Sequence, residues 1–394
     1  MSHSSSQQAS SQSSRPSSFD FDKHSPPLLQ EYGWHSFVAE SSIANHYREA
    51  MSQWSSSGSG DSAQLQPARV LFRSLELYRV ITAAGEREAE PSGRLRSDGE
   101  LPAVGDWVLA RGGEDGPLQL VSLLPRRTSL SRKVPGERTV EQVVAANVDT
   151  VFIVMGLDGD FSLRRLERFS VMVWESGAQP VAVLTKADLH EDPAGARLDA
   201  QMAVPGVPVM AVSSLEGTGL DPLQAYLEPG RTVALIGSSG VGKSTLVNRL
   251  CGSEVMKTGA VREGDDRGRH TTTHRQLVPL PGGALLIDNP GVREIQLWAG
   301  DEALSETFGD IDALARNCRF RDCSHEGEPG CAVESALESG ALDAGRMESW
   351  RKLQRELHHL ERQQNVVLQR QEDKRWAKIY RSAQAAKRAR KRGR

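Results

Sequence analysis

The chain has 394 residues and is short of several things, each of which excludes a class of protein. No apolar run approaches the ~18 residues that a spanning helix needs, so no membrane span is expected. The N-terminus has no apolar core of the kind that marks a secretory leader, which makes the cytoplasm the expected compartment. Cysteine is scarce. Of the 4 present, Cys251 stands alone, and Cys318, Cys323 and Cys331 lie close together beside His325. That grouping reads as a metal site rather than a disulfide framework. Residues 1–29 are Ser, Gln and Pro with almost no large apolar side chains, so nothing offsets the entropy of ordering them.

The net charge is only −3, but it is unevenly placed. Residues 351–394 carry 15 Lys and Arg against 4 Asp and Glu, a balance of +11, which leaves the rest of the chain at −14. A basic end on an acidic body reaches for a polyanion without making the whole surface adhesive. From Leu342 onward Ala, Glu, Arg, Leu and Gln dominate without proline, which predicts a long helix. Its end, Lys387 to Arg394, is a block of like charge that frays in solution.

Six segments are expected. Residues 1–30 form a tail without structure. Residues 31–65 hold a short docking segment, Tyr32-Gly-Trp-His-Ser-Phe37, and a linker from Ser55 to Gly60. Residues 66–135 hold five short alternating runs: Val70 to Phe72, Leu77 to Ile81, Ser92 to Arg96, Asp106 to Ala110 and Leu118 to Ser122. Five strands in so short a stretch suit an oligonucleotide-binding (OB) barrel. Arg126, Arg127, Arg132 and Lys133 at its exit are either a solvated basic loop or a contact with nucleic-acid backbone. Residues 140–297 alternate buried strands with helical patterns, the signature of a doubly wound α/β domain. Residues 298–350 hold the cysteine cluster, and 351–394 the basic helix and tail.

The sharpest signal is Gly237-Ser-Ser-Gly-Val-Gly-Lys-Ser-Thr245, between the apolar run Val233 to Ile236 and the helical Leu246 to Leu250. Strand, glycine-rich turn and helix make this a P-loop. The backbone of Gly237, Ser238, Ser239, Gly240, Val241 and Gly242 turns its N–H groups toward phosphate oxygens. Lys243 reaches the outer phosphates, Ser244 offers a hydroxyl to Mg²⁺, and Thr245 continues the helix start whose dipole favours an anion. Downstream, Asp288-Asn-Pro-Gly291 ends another buried strand, where the acid can hold Mg²⁺ and the Gly291 amide can meet a γ-phosphate. Between them, in Gly268-Arg-His-Thr-Thr-Thr-His274, Thr271 or Thr272 can complete the Mg²⁺ shell.

The base-reading element lies upstream of the P-loop. Thr185-Lys-Ala-Asp188 follows the strand Val181 to Leu184; Asp188 can accept two hydrogen bonds from guanine, and the Lys186 stem can lie over the base. Ser213 and Ser214, after the run Val207 to Val212, can supply supporting contacts. The order is therefore base-reading, support, P-loop, first switch, second switch, a circular permutation of the usual GTPase order. Water is positioned by a glutamine after the second-switch glycine in Ras-like enzymes. Here Val292 stands in that place, which leaves His270 or His274 as the nearest candidates.

Cys318-x4-Cys323-x-His325-x5-Cys331 offers three thiolates and one imidazole, a closed tetrahedral set for one structural Zn²⁺. Such a metal supplies folding energy to a segment too short and polar to fold by itself.

In this combination the chain resembles the circularly permuted bacterial GTPases of small ribosomal subunit biogenesis, the RsgA/YjeQ family. The resemblance runs from about Tyr32 to Ala377. It is carried by Leu101–Val108 (LPAVGDWV), Gln142–Met155 (QVVAANVDTVFIVM), Phe161–Phe169 (FSLRRLERF), TKAD, GSSGVGKST, Gly268–Arg275 (GRHTTTHR), Asp288–Glu294 (DNPGVRE) and the cysteine cluster. It implies an N-terminal OB barrel, a permuted P-loop GTPase domain and a C-terminal zinc-binding domain. It further implies hydrolysis of GTP to GDP stimulated by the 30S subunit, contact with 16S rRNA and a role late in subunit maturation; nothing in the sequence suggests an oligomer, so a monomer is expected. Thr185 replaces the family's usual Asn, and Asn289 stands where Thr is commoner; neither removes a group given a role above. The competing readings are an RNA-binding scaffold with a vestigial nucleotide site, which intact Lys243, Ser244 and Asp288 oppose, and an ATPase or small-molecule kinase, which Asp188 opposes.

Overall fold

The structure is a computed structural model that describes residues 26–56, 65–74, 77–112, 116–133, 141–254, 256, 275–288 and 301–357. It opens with three helices, α1 (Pro27–Glu31), α2 (Trp34–Val38) and α3 (Ser41–Ser56). The tail expected to lack structure through residue 30 is therefore helical at its end. Leu29 is the reason, because it is fully buried. The aromatic segment docks as expected, with Trp34 and Phe37 against Trp107 at ring-centroid distances of 4.8 and 5.6 Å.

The barrel follows. Strands β1 (Gln66–Arg73), β2 (Tyr78–Thr82), β3 (Gly85–Pro91), β4 (Trp107–Arg111) and β5 (Leu118–Leu123) close in the order β1-β2-β3-β5-β4, with β1 pairing again to β4. This is the OB arrangement. One strand lies elsewhere than expected. Ser92 to Arg96 is not a strand but part of helix α4 (Gly93–Asp98), because Ser92 Oγ caps the Leu95 amide at 3.4 Å and Gly99, at φ +76°, ends it. The third strand is the preceding Gly-Glu-Arg-Glu-Ala-Glu-Pro run, which turns charges outward and buries Ala89 and Pro91.

A hairpin of β6 (Ser129–Lys133) and β7 (Glu141–Ala146) then leads into the second layer. Strands β8 (Thr150–Gly156), β9 (Gln179–Thr185), β10 (Val209–Ala211), β11 (Thr232–Ile236), β12 (Arg275–Pro279) and β13 (Leu285–Asp288) lie in the order β10-β9-β8-β11-β13-β12. All pairs are parallel except β12 with β13. Their near-continuous apolar runs are buried on both faces, as parallel strands require. Helices α5 (Leu163–Glu175), α6 (Pro193–Ala203) and α7 (Lys243–Cys251) supply crossovers. Strand β12 had no apolar run to announce it; it pairs with β1 through Phe72↔Gln276 and Arg73↔Arg275 and fuses both layers into one 11-stranded sheet.

Four helices finish the described chain: α8 (Asp301–Thr307), α9 (Gly309–Ala315), α10 (Ala332–Glu338) and α11 (344–357). The start of the helix expected from Leu342 is present; the basic block Lys387 to Arg394 lies outside the described residues.

One buried arginine sits at each flank of the β8–β13 sheet. Arg69, on β1, donates to the carbonyls of Gly105 (3.2 Å), Tyr32 (2.6 Å) and Asn147 (3.2 Å) and to Thr232 Oγ1 (2.9 Å), and lies over Trp107. Arg346, on α11, donates to Glu167 Oε1 on α5 (3.0 Å), to both carboxylate oxygens of Asp310 (2.8 and 2.7 Å), and to the carbonyls of Thr307 (2.9 Å) and Ala203.

Candidate functional site

The carboxyl ends of β8, β9, β10, β11 and β13 face one way, and the loops that leave them carry the chemistry. Strand β11 lies between β8 and β13, so its exit is the centre of the crevice. The chain turns there through Gly237, Gly240 and Gly242 at φ +148°, +81° and +93°. A side chain at Gly237 would collide with the Val154 carbonyl of β8, which is why only glycine fits. Gly242 is the residue before α7, so the P-loop amides and the helix N-terminus point into the same space. Lys243 Nζ is folded over the loop, donating to the carbonyls of Gly237 (3.0 Å) and Ser238 (2.6 Å). Ser244 is half-buried in the first turn, and Ser239 and Thr245 are exposed.

Across the crevice, Thr185 ends β9. Its hydroxyl is buried within 2.5 Å of the Val241 carbonyl and 3.1 Å of the Met155 carbonyl. It has one proton to give, and the shorter contact ties the base-reading strand to the P-loop. The next residues form a tight 3₁₀ turn, Ala187–Leu189, on which Asp188 is exposed. Lys186 enters that turn in the left-handed region, φ +58°, and its ammonium pairs with Asp158. The loop after β10 is joined to this turn by Ala187 N–H to Val212 O at 3.1 Å. The two serines there differ. Ser213 Oγ is occupied as the acceptor for the Glu216 amide (3.1 Å), whereas Ser214 Oγ is buried with no hydrogen-bond partner.

Other candidates are only partly placed. Asp288 ends β13, whose Ile287 pairs with Ala234 of β11, so its backbone stands beside the P-loop strand. His270, Thr271, Thr272, His274 and Gly291 lie outside the described residues.

The basic exit of the barrel matches neither expectation for two of its residues. Arg126 is clamped by the fully buried Asp106 through bonds of 2.8 and 2.7 Å, and Arg127 pairs with Asp149 at 3.3 Å while its amide donates to Asn147 Oδ1 at 3.0 Å. Burial pushes the Asp106 carboxyl up, with Arg126 opposing. These arginines hold the barrel to the sheet. Pattern and charge could not separate that role from a solvated loop, since the buried partners are distant in sequence.

The cysteine cluster closes as its spacing promised. The Sγ atoms of Cys318 and Cys331 lie 3.9 Å apart, and 3.6 and 3.4 Å from His325 Nδ1; the four donor atoms, Cys323 Sγ among them, all lie within 4.8 Å of one another. A tetrahedral zinc with bonds of about 2.0–2.3 Å has donor separations of about 3.5–3.8 Å, so the set fits that ion. His325 takes φ +58° to reach it. The Ala332 and Glu334 amides donate to Cys318 and Cys331 Sγ at 3.3 and 3.4 Å, as thiolates require. Glu328, which no motif marked, gathers Ser324 and the Glu326 amide beneath the loop, and these bonds hold its carboxyl down at about 2.

Comparisons agree with this arrangement. A family model described as RsgA GTPase matches residues 123–298. A small ribosomal subunit biogenesis GTPase RsgA of Opitutus terrae is 48% identical over 341 residues, covering 83% of this chain and 93% of that protein. The crystal structure of YjeQ from Thermotoga maritima is similar at a TM-score of 0.56 and 26% identity, over 75% of this chain and 99% of that one. YloQ, described as a circularly permuted GTPase, is similar at 0.52 and 25% identity, over 75% and 96%.

Proposed function

The chain belongs to the RsgA family of circularly permuted GTP hydrolases, and on that premise we propose that it binds the small ribosomal subunit and hydrolyses GTP there late in subunit maturation. The observation that carries the reading is the Thr185–Val241 bond. It joins the guanine-reading strand to the phosphate loop across the permutation, so both halves of one nucleotide are received at one crevice. In this reading the amides of Gly237 to Thr245 cradle the phosphates, Lys243 leaves its loop carbonyls for the phosphate oxygens, and the exposed Asp188 carboxylate accepts from the guanine edge. Lys186 covers the base. Thr185 and Ser213 hold the frame, and Ser214 has a hydroxyl to offer. Magnesium held by Ser244, Asp288 and Thr271 or Thr272 would offset phosphate charge. The Gly291 amide meets the γ-phosphate, and His270 or His274 positions the attacking water.

The zinc held by Cys318, Cys323, His325 and Cys331 is structural, because four protein donors leave no position for water. We read residues 66–135, 140–297 and 298–350 as barrel, GTPase and zinc domains, and 351–394 as a basic arm toward 16S rRNA. The protein acts as a monomer in the cytoplasm; no helix among the described residues is long and apolar enough to cross a membrane.

The test is GTP turnover titrated with purified 30S subunits. Turnover is expected to rise with subunit concentration, and to lose that rise when His270 and His274 are both replaced by Ala. A flat titration favours a scaffold with a vestigial site. A rise that survives the double replacement returns the water to another group.

A further inference from the structure

We propose that Asp158 is a positioning residue of the guanine site, holding the Lys186 side chain where its stem covers the base. The proposal rests on the base-site reading above and adds a residue that no motif marks. Strands β8 and β9 run parallel with Gly156 paired to Thr185, and the Leu157 amide donates to the Thr185 carbonyl at 2.9 Å. Asp158 therefore stands beside Lys186 by register. Its carboxylate takes the Lys186 ammonium, with the two side chains only 30% and 29% exposed. A Cβ at Gly156 would collide with that carboxylate and lie 3.6 Å from Lys186 Cδ, so the glycine is what lets the pair close over the strand ends.

Two further features show why Lys186 needs an anchor. Its backbone is left-handed, which turns the side chain out of the strand's alternation. A free four-carbon stem then loses much rotamer entropy on settling over a base. A fixed carboxylate removes that loss before the nucleotide arrives. The turn carrying Asp158 is itself anchored, because Arg165 in the first turn of α5 bonds Asp160 through both its carboxylate, at 2.9 Å, and its carbonyl. Asp158 meets the lysine and not the phosphates, so its effect belongs to affinity and not to the chemical step.

The full chain is tested with GDP and GTP binding and with turnover at saturating GTP, for Asp158→Ala, Lys186→Ala, the double variant and Asp188→Asn. Asp158→Ala is expected to raise both dissociation constants by roughly threefold to tenfold, by an amount that shrinks with added salt, while saturated turnover is kept. The double variant is expected to bind as Lys186→Ala does, because Asp158 acts through that side chain. Wild-type affinity in Asp158→Ala, or effects that multiply in the double variant, overturns the proposal. Should Asp158→Ala fail to fold, Asp158→Asn keeps the shape without the charge; it is expected to weaken binding as well, and wild-type affinity there overturns the proposal too. Asp188→Asn separates the two failures. If it weakens GTP binding while Asp158→Ala does not, only the positioning role falls; if it also leaves GTP affinity unchanged, the guanine site itself is misplaced.

Discussion

The nucleotide-binding sheet has a joint on each flank, and the two lean on different interactions. Toward the barrel, β12 and β1 share ladder hydrogen bonds, and the buried Arg69 gives its protons to three carbonyls and a hydroxyl. With dipoles rather than carboxylates as partners, burial pushes that guanidinium down to about 10, with Asp149 opposing. Toward the helices that carry the cysteine cluster there is no shared strand among the described residues. Arg346 instead meets the carboxylates of Glu167 and Asp310, and Arg164 and Arg168 of α5 reach Glu348 and Glu356 of α11. The first joint is centred on backbone and dipole, with the Arg126–Asp106 and Arg127–Asp149 pairs beside it. The second sets charge pairs on helices around an apolar core shared with α5 and the sheet, and its charged part answers to salt and acid.

The largest break in this contrast is expected from the metal. Phe308, Ile311, Val333 and Met347 pack into the core shared with α5 and the sheet, and the Cys₃His set staples the segment that carries them. Replacing Cys331 by Ser removes a donor from a set whose ion contributes on the order of 10 kcal/mol to folding in small zinc modules. Hydrogen exchange should show amide protection lost in α8 to α11 and kept in β1 to β5 and in the central sheet. Loss spreading into the barrel would mean that the two joints are not separate. Second in size is Arg69→Met, which leaves the Tyr32, Asn147 and Thr232 acceptors unanswered, while the Gly105 carbonyl keeps its bond from Asn147 Nδ2 at 3.1 Å. At about 1 kcal/mol or more for each acceptor, the cost is about 3–5 kcal/mol. Denaturant unfolding should then split into separate barrel and sheet transitions; a single transition at the wild-type midpoint would remove Arg69 from its place in the joint.

What could be read in the sequence follows the same divide. Strands β8, β9 and β11 were legible because both of their faces are buried and the apolar runs are unbroken; the P-loop and the Cys₃His cluster were legible because their chemistry fixes spacing. Strand β3 was hidden, since only Ala89 and Pro91 of its seven residues turn inward. Ser92 and Gly99 did carry a helix's cap and stop, but an alternating Gly-Arg-Leu-Arg outweighed them. Arg69 and Arg346 had no signature at all. A buried arginine is recognised only by its partners, and those of Arg346 stand as much as 179 residues away along the chain. Asp158 was missed for the same reason, because parallel register rather than sequence proximity brings it to Lys186.

The smallest expected effect is the one that tells the joints apart by acid. Burial pushes the Asp310 carboxyl up, but its bonds to Arg346 more than offset this and hold it below its ordinary 3.8. A carboxylate with a depressed pKa contributes stability that is complete above its unfolded value and is lost as pH falls through its folded one. Asp310→Asn should therefore cost about 1 kcal/mol near neutral pH, a modest figure because the side chain is 40% exposed and screened. The gap between wild type and variant should close as pH drops from about 5 to about 3. Glu167, which burial pushes the other way, weakens the joint as pH rises through its own range. It is present in both proteins, so to first order it cancels from the difference. None of the four hydrogen-bond acceptors of Arg69 titrates, so any pH dependence of its gap comes only through the fields of Asp149 and Asp106. Urea midpoints followed with pH for Asp310→Asn and Arg69→Met measure both at once, and a gap that stays constant in acid for Asp310→Asn would mean that Arg346 is held by its carbonyls and by Glu167 alone.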